Sequence, residues 1–345
     1  MKRILVAGGL GFFGGAIVNT LRAEGLAPLI ASRRNSADVV LDVEDAASIA
    51  AVVRPGDIMV DAVGPFQRRT TQLVRSACEI GFDVVDLADH LAYVRDVYAL
   101  APRIEQAAVR VFTACSSVSS VSAAMITRSG VKQPTCVTGF LVPATRHTAV
   151  AGTAASLFCS VGRPVEVLRD GRLATCRGWC DRRWFAFPTP LGRRTGYRFE
   201  SADAFTLPKV WPSLQQVDFF VDTNVFTLNT VLALAARTPP LRAIIGASLP
   251  LGLKLSRLLG RDVSGLAYEI EDAAGGRVRM SLTSRRNGYL IAIAPALLAV
   301  RRRVAGAESA AGLISPDRHV DVEELFAWLA ERGIELTTTT ADAVG

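Results

Sequence analysis

The chain has 345 residues, half of them hydrophobic, and carries a formal net charge of +7. That length accommodates two domains, and the apolar content excludes global disorder. No apolar run is long enough for a membrane span. The six cysteines, Cys78, Cys115, Cys136, Cys159, Cys176 and Cys180, are too dispersed for a disulfide framework, and they read as reduced thiols of a cytoplasmic protein. Cys176 and Cys180 lack a second pair or a nearby histidine, so no metal is expected. The basic residues come as scattered pairs such as Arg68-Arg69 and Arg285-Arg286, with one triplet at Arg301-Arg302-Arg303. They suit a solvated surface, with an anionic ligand as a second source of the bias, rather than nucleic acid.

Lys2 and Arg3 before an apolar stretch resemble the start of a secretory signal. Five glycines interrupt that stretch, however, and no small-residue cleavage site follows. Ile4–Ala7 predicts a buried parallel strand, and Ile17, Val18 and Leu21 have helical spacing. Gly8, Gly11 and Gly14 therefore fall at a strand-to-helix junction. The first would permit a tight turn, the second a close approach to a pyrophosphate, and the third close packing of helix on strand. Phe12 and Phe13 belong to the same cradle. Strands are predicted at 28–32, 39–43, 57–63, 83–89 and 109–115, with helices at 46–53 and 70–81, the latter closed by Gly81. The alternation predicts an α/β fold with a Rossmann-type doubly wound parallel sheet.

The end of the second strand selects the cofactor. An acidic residue there would bind the ribose of NAD, but this chain has Ser32, Arg33 and Arg34. A hydroxyl and guanidinium groups suit a 2′-phosphate, so NADP(H) is expected over NAD, the alternative being that Arg33 and Arg34 are simply a solvated turn. Asp42 would accept a hydrogen bond from the adenine amino group or cap the following helix.

After residue 125 the rhythm changes to longer strands, predicting a second α+β domain with an extended mixed sheet. A strand is read at 135–143, a helix at 150–162, and a hairpin around Gly275-Gly276, then a strand running into a helix. The segment "WCDRRWFAFPTPLGRRTGYRFE" alternates aromatics with arginines. Aromatics on one face and Arg183 or Arg194 on the other would make a substrate site, or the segment is an ordinary half-buried sheet. Leu241–Gly260 reads as a core helix, a dimer contact or an interfacial helix, with core or dimer favoured because its charges are few. The helix at 321–336 ends at Gly333, and the tail "TTTTADAVG" is read as frayed.

With these residues placed, the chain resembles the saccharopine dehydrogenase-like oxidoreductases. The resemblance rests on "GGLGFFGG", "DAVGPFQ", "GFDVVDLAD", "AGTAASLF" and the closing "GLISPDRHVDVEELFAWLAERGI". It implies an NADP-binding domain over residues 1–125, a substrate and dimerisation domain over 126–310, and a cleft between them. Residues 311–345 would supply a helix packing back on the first domain. By the same resemblance Val63, Gly64, Pro65 and Phe66 line the nicotinamide end of the cofactor. The chain departs from the family in "CSSVSSVSAAM" after the sixth strand, where Ser116 and Ser117 become substrate-binding candidates. Thr153, near a helix start, is another. Candidate proton donors are His90, Tyr93 and His147, although a histidine is more often structural or solvated than catalytic.

The resulting expectation is an NADPH-dependent homodimeric oxidoreductase that reduces a C=N or C=C bond of a small, partly apolar molecule. A non-catalytic NADP-binding regulator and a lipid-surface-associated protein are the alternatives.

Overall fold

The computed structural model describes residues 2–307 and 310–341. They form two units, one holding the chain through Ser120 together with Ala292–Asp321, the other Val121–Ile291 with the chain from Val322 onward.

The first unit carries strands β1 (Ile4–Ala7), β2 (Leu29–Ser32), β3 (Val39–Val40), β4 (Ile58–Asp61), β5 (Asp83–Asp86) and β6 (Arg110–Phe112). They run parallel in the order 3-2-1-4-5-6. β1, β4 and β5 are buried at every residue, as central parallel strands covered on both faces are, and the aspartates Asp61, Asp83 and Asp86 at the ends of β4 and β5 are buried with them. Helices α1 (Phe12–Ala23), α2 (Ala46–Val52), α3 (Gln72–Ile80), α4 (Leu91–Tyr98) and α5 (Ala101–Gln106) complete the winding. Gly81 closes α3 in the left-handed region, φ +91°. β3 is shorter than the predicted 39–43, because Asp42 turns the chain by accepting the Glu44 N–H at 3.0 Å. The strand order reverses between β1 and β4, which is where open α/β sheets bind ligands.

The second unit carries β7 (Pro134–Val142), β8 (Pro164–Arg169), β9 (Arg172–Arg177), β10 (Arg182–Ala186), β11 (Arg193–Arg198), β12 (Gln216–Val221), β13 (Ser264–Asp272) and β14 (Arg277–Ser284). Late in the chain, β15 (Gly312–Leu313) joins the first sheet outside β6, and β16 (Ile334–Ala341) joins the second. The second sheet runs 10-11-12-7-13-14-16, with β8 and β9 branching from β12. Its β7–β12 pair is parallel amid antiparallel neighbours.

Three sequence expectations are corrected here. After the β13–β14 hairpin there is no strand before the helix: Leu290–Val304 is helical, and residues 290–300 other than Ala292 are buried. A helix apolar on all sides cannot be told from a buried strand by periodicity. The helix Val322–Ala330 groups with the second unit, not the first. The residues Thr337–Ala341, read as part of a frayed tail, form an edge strand registered on β14, where β-branched threonine is at home. Residues 342–345 of that tail lie outside the described residues.

Candidate functional site

The turn between β1 and α1 sorts its glycines by what would meet a side chain there. Gly8 has φ +74°, and a Cβ on it would lie 2.8 Å from the Ala62 carbonyl oxygen, so the loop after β1 backs directly onto the end of β4. A Cβ on Gly14 would fall on the carbonyl of Gly8. Both glycines are demanded by the fold itself. Gly11 differs: it is exposed, has φ −86°, and its Cβ would meet one neighbour, the Gly8 oxygen, at 3.0 Å. Internal packing asks less of this position than of the other two, since the Gly8 oxygen would have to yield by only a few tenths of an ångström.

Gly11 is also the N-cap of α1, with no side-chain cap and no acidic residue in the first turn. The first intrahelical bond runs from the Gly15 N–H to the Gly11 oxygen at 2.8 Å. The first-turn N–H groups therefore face out of the helix end, the arrangement that binds anions. Phe12 and Phe13 sit edge to face, 5.1 Å between ring centroids.

At the end of β2, the Ser32 hydroxyl accepts the Arg34 N–H at 3.3 Å. Arg33 and Arg34 are exposed, and neither guanidinium has an ion-pair partner among the described residues. The nearby Asp38 is engaged, accepting the Ile30 N–H at 2.8 Å and pairing with Arg22 at 3.5 Å. Asp42 does not cap α2. Asp45 does, through the Ala47 N–H at 3.0 Å.

The Val63–Phe66 turn after β4 is held by a pair that sequence reasoning missed. Arg69 clamps the buried Asp61 with two hydrogen bonds, 2.8 and 3.2 Å, and donates to the Val63 carbonyl at 2.7 Å. It also pairs with Glu44 and lies over the Phe66 ring. Burial alone would lower the Arg69 pKa, but the Asp61 charge outweighs it and raises it. Asp61 ends an apolar strand, so it needed a cation within a few residues; that was the available signal. Gly64 is exposed with open space about it, whereas Phe66 is buried against Tyr93, centroids 5.1 Å apart. Phe66 thus supports the turn from beneath rather than presenting a ring face.

The candidate proton donors are divided between the two units. Tyr93 is buried beneath Phe66, its hydroxyl unpartnered among the described residues and its pKa raised by burial. His90 is the partly exposed N-cap residue of α4, after the carboxyl end of β5. His147 lies in the second unit, 3.0 Å from Asp262. Ser116 is buried and Ser117 partly exposed.

Two buried titratable groups that the sequence did not single out stand close by in the first unit. Asp86 accepts the Ala88 and Ala114 N–H groups at 3.0 and 2.8 Å with one oxygen, while its other oxygen has no hydrogen-bond partner among the described residues. Burial pushes its pKa up to about 7. His319 bonds the Ile314 carbonyl at 2.9 Å and the Ser120 hydroxyl at 2.6 Å, and burial pushes its pKa down to about 4.

In the second unit the aromatic and arginine faces are not separated. Strand alternation puts Arg183 on the face of the buried Phe185 and Arg182 on that of the exposed Trp184, which Arg193 covers at 4.2 Å. Arg183 pairs with Glu269, and Arg194 pairs with Asp222 at 3.0 Å. Both guanidinium groups are thus committed within the sheet, the ordinary half-buried reading. Thr153 is the third residue of the helix Ala151–Ser160.

No protein-family model matches this sequence, and no curated protein matches it. Among solved structures, apo saccharopine dehydrogenase (L-Glu forming) from Saccharomyces cerevisiae superposes with a TM-score of 0.66 at 15% identity, over 99% of this chain and 100% of that one. Scyllo-inositol dehydrogenase from Lactobacillus casei, with bound NAD(H) and scyllo-inositol, gives a TM-score of 0.42 at 12% identity, over 98% and 99% of the two chains. WlbA dehydrogenase from Thermus thermophilus, in complex with NAD and alpha-ketoglutarate, gives 0.43 at 12%, over 93% and 92%. The first of these likenesses extends over both units, and by it the chain has the fold of saccharopine dehydrogenase.

Proposed function

We propose that this chain is an NADPH-dependent oxidoreductase that reduces a C=N or C=C bond of a small, partly apolar substrate. The observation that carries the reading is the exposed Gly11 at the uncapped start of α1, at the point where the strand order reverses. The turn from Gly8 to Gly14 would hold the pyrophosphate on backbone N–H groups. Ser32 with the unpaired Arg33 and Arg34 would hold the 2′-phosphate, and the exposed Gly64 with Pro65 would meet the flat ring. When bound, the nicotinamide supplies the hydride, and the protein orients it. His90 is the candidate donor whose position suits the proton, since Tyr93 is buried and occluded by Phe66. The resemblance supports the imine option through its secondary-amine enzymes and the C=C option through its lipid-associated reductases.

A second reading, a nucleotide-binding regulator without turnover, is favoured by the commitment of Arg183 and Arg194 to Glu269 and Asp222. A panel of imines, keto acids and enones, with NADPH oxidation as readout, separates the two. Binding of NADPH without oxidation by any substrate carries the second reading.

Cofactor choice is tested independently. Ser32→Asp with Arg33→Ala should cost about 1–3 kcal/mol of NADPH affinity through lost charge-assisted bonds and added repulsion. NADH should be affected far less. Calorimetry that finds NADH and NADPH binding equally to the parent protein would count against the 2′-phosphate site.

A further inference from the structure

The segment read from sequence as a single helix over Leu241–Gly260 is two helices, Pro239–Ala247 and Leu249–Leu259, and neither buries a residue. The core alternative is thereby removed. On the first helix, Leu241 and Ile245 pack inward against the cluster of Val161, Trp179 and Leu232, while Ile244 is 65% exposed. On the second, Leu251, Leu255 and Leu258 recur at i, i+4 and i+7, forming one exposed face, with Leu258 74% exposed. Arg257 bonds the Ala149 carbonyl at 2.8 Å and Arg242 the Gly162 carbonyl at 2.9 Å, fixing the pair to its unit.

Charge decides what such a face would meet. Between Asp222 and Asp262 the sequence has no acidic residue, yet it has Arg237, Arg242, Lys254, Arg257 and Arg261. None of these cations has a carboxylate partner among the described residues, and the two bounding acids are engaged by Arg194 and Arg146. Against a second copy in a two-fold contact, each cation would face the same cationic patch. Anionic headgroups supply the opposite charge, and the acyl boundary accepts the leucines. Among the described residues no helix is long and apolar enough to cross a membrane, so the contact is an in-plane one.

We infer that the helices Pro239–Ala247 and Leu249–Leu259 form a platform that docks this protein on an anionic lipid surface. The platform uses residues of the second unit and none of those proposed to hold the cofactor, so it stands or falls apart from the proposed activity. The test is co-flotation of the full chain with two kinds of vesicle. One is phosphatidylcholine alone, and the other is about three parts phosphatidylcholine to one of phosphatidylglycerol.

The expected result is flotation with the anionic vesicles, little with the neutral ones, and release by high salt. Leu255→Glu with Leu258→Glu should abolish it. Lys254→Glu with Arg261→Glu should lower partitioning about tenfold or more. Circular dichroism and NADPH titration, unchanged in each variant, check folding. Failure to float with anionic vesicles at low salt overturns the proposal, as does undiminished flotation of the leucine variant. A dimer that the leucine variant splits, in a protein that ignores both vesicles, would instead make the face a contact between copies.

Discussion

Gly11→Val is expected to weaken NADPH binding by about a hundredfold or more, while the folded protein melts close to the parent. The reasoning separates two demands on one turn. Gly11 has ordinary extended backbone, φ −86° and ψ 178°, which valine adopts without penalty. Its Cβ would need the Gly8 oxygen, 3.0 Å away, to yield by a few tenths of an ångström. Outward, the branched side chain would stand where phosphate must approach the helix start. Gly14→Ala makes the contrast, since its methyl would land on the Gly8 carbonyl and break the turn itself. Isothermal titration with NADPH, alongside thermal melting, reads both. A folded Gly11→Val protein with parental affinity would remove the pyrophosphate from this turn.

Stability should be nearly independent of pH between about 4 and 6.5, because two buried groups in the first unit titrate in opposite senses. Asp86 moves from 3.8 unfolded to about 7 folded. Across that interval the folded state holds the extra proton, so this group's contribution is lost as pH rises. His319 moves from 6.5 unfolded to about 4 folded. There the unfolded state holds the extra proton, so its contribution is lost as pH falls. Each slope is about 1.4 kcal/mol per pH unit, with opposite sign.

Removing either group exposes the other. Asp86→Asn, whose amide oxygen can still accept from Ala88 and Ala114, should lose about 3 kcal/mol between pH 6.5 and 4. His319→Gln should show the reverse slope, starting from a lower baseline. The imidazole it removes donates from Nε2 to the Ile314 carbonyl, which can only accept, and so receives the Ser120 proton at Nδ1. Denaturant melts at several pH values check the slopes. Parallel profiles for parent and Asp86→Asn would show that Asp86 is not protonated when buried.

What the sequence made legible is what is local. The glycine turn, the strands around it and the α3 stop at Gly81 follow from spacing and backbone preference within a dozen residues. Which cation answers which buried acid was not read from the sequence, near or far. Arg69 and Arg303 looked like members of a solvated basic surface, yet one clamps Asp61 and the other Asp83. Part of the positive charge is therefore internal. The β10–β11 hairpin shows a second limit: alternation says which residues share a face, not which face is buried or what stands opposite. Arg183 lies with Phe185 because Glu269 waits for it on β13. The leucines of 249–259 show a third, since apolar spacing is the same for a helix that packs inward and one that remains open.

The first unit is assembled from two distant stretches of chain, and this bears on the order in which it can be completed during synthesis. Domains emerging from a ribosome generally fold as units, the N-terminal one first. Here the buried Asp83 meets the Arg303 guanidinium across 220 positions, and Ser120 meets His319 across 199. Until the second unit has been made, β6 stays an open edge without β15, and Asp83 keeps only its partners Lys2 and Arg110. The nascent first unit must therefore wait for a later part of its own chain, and cutting after residue 120 would leave an incomplete sheet.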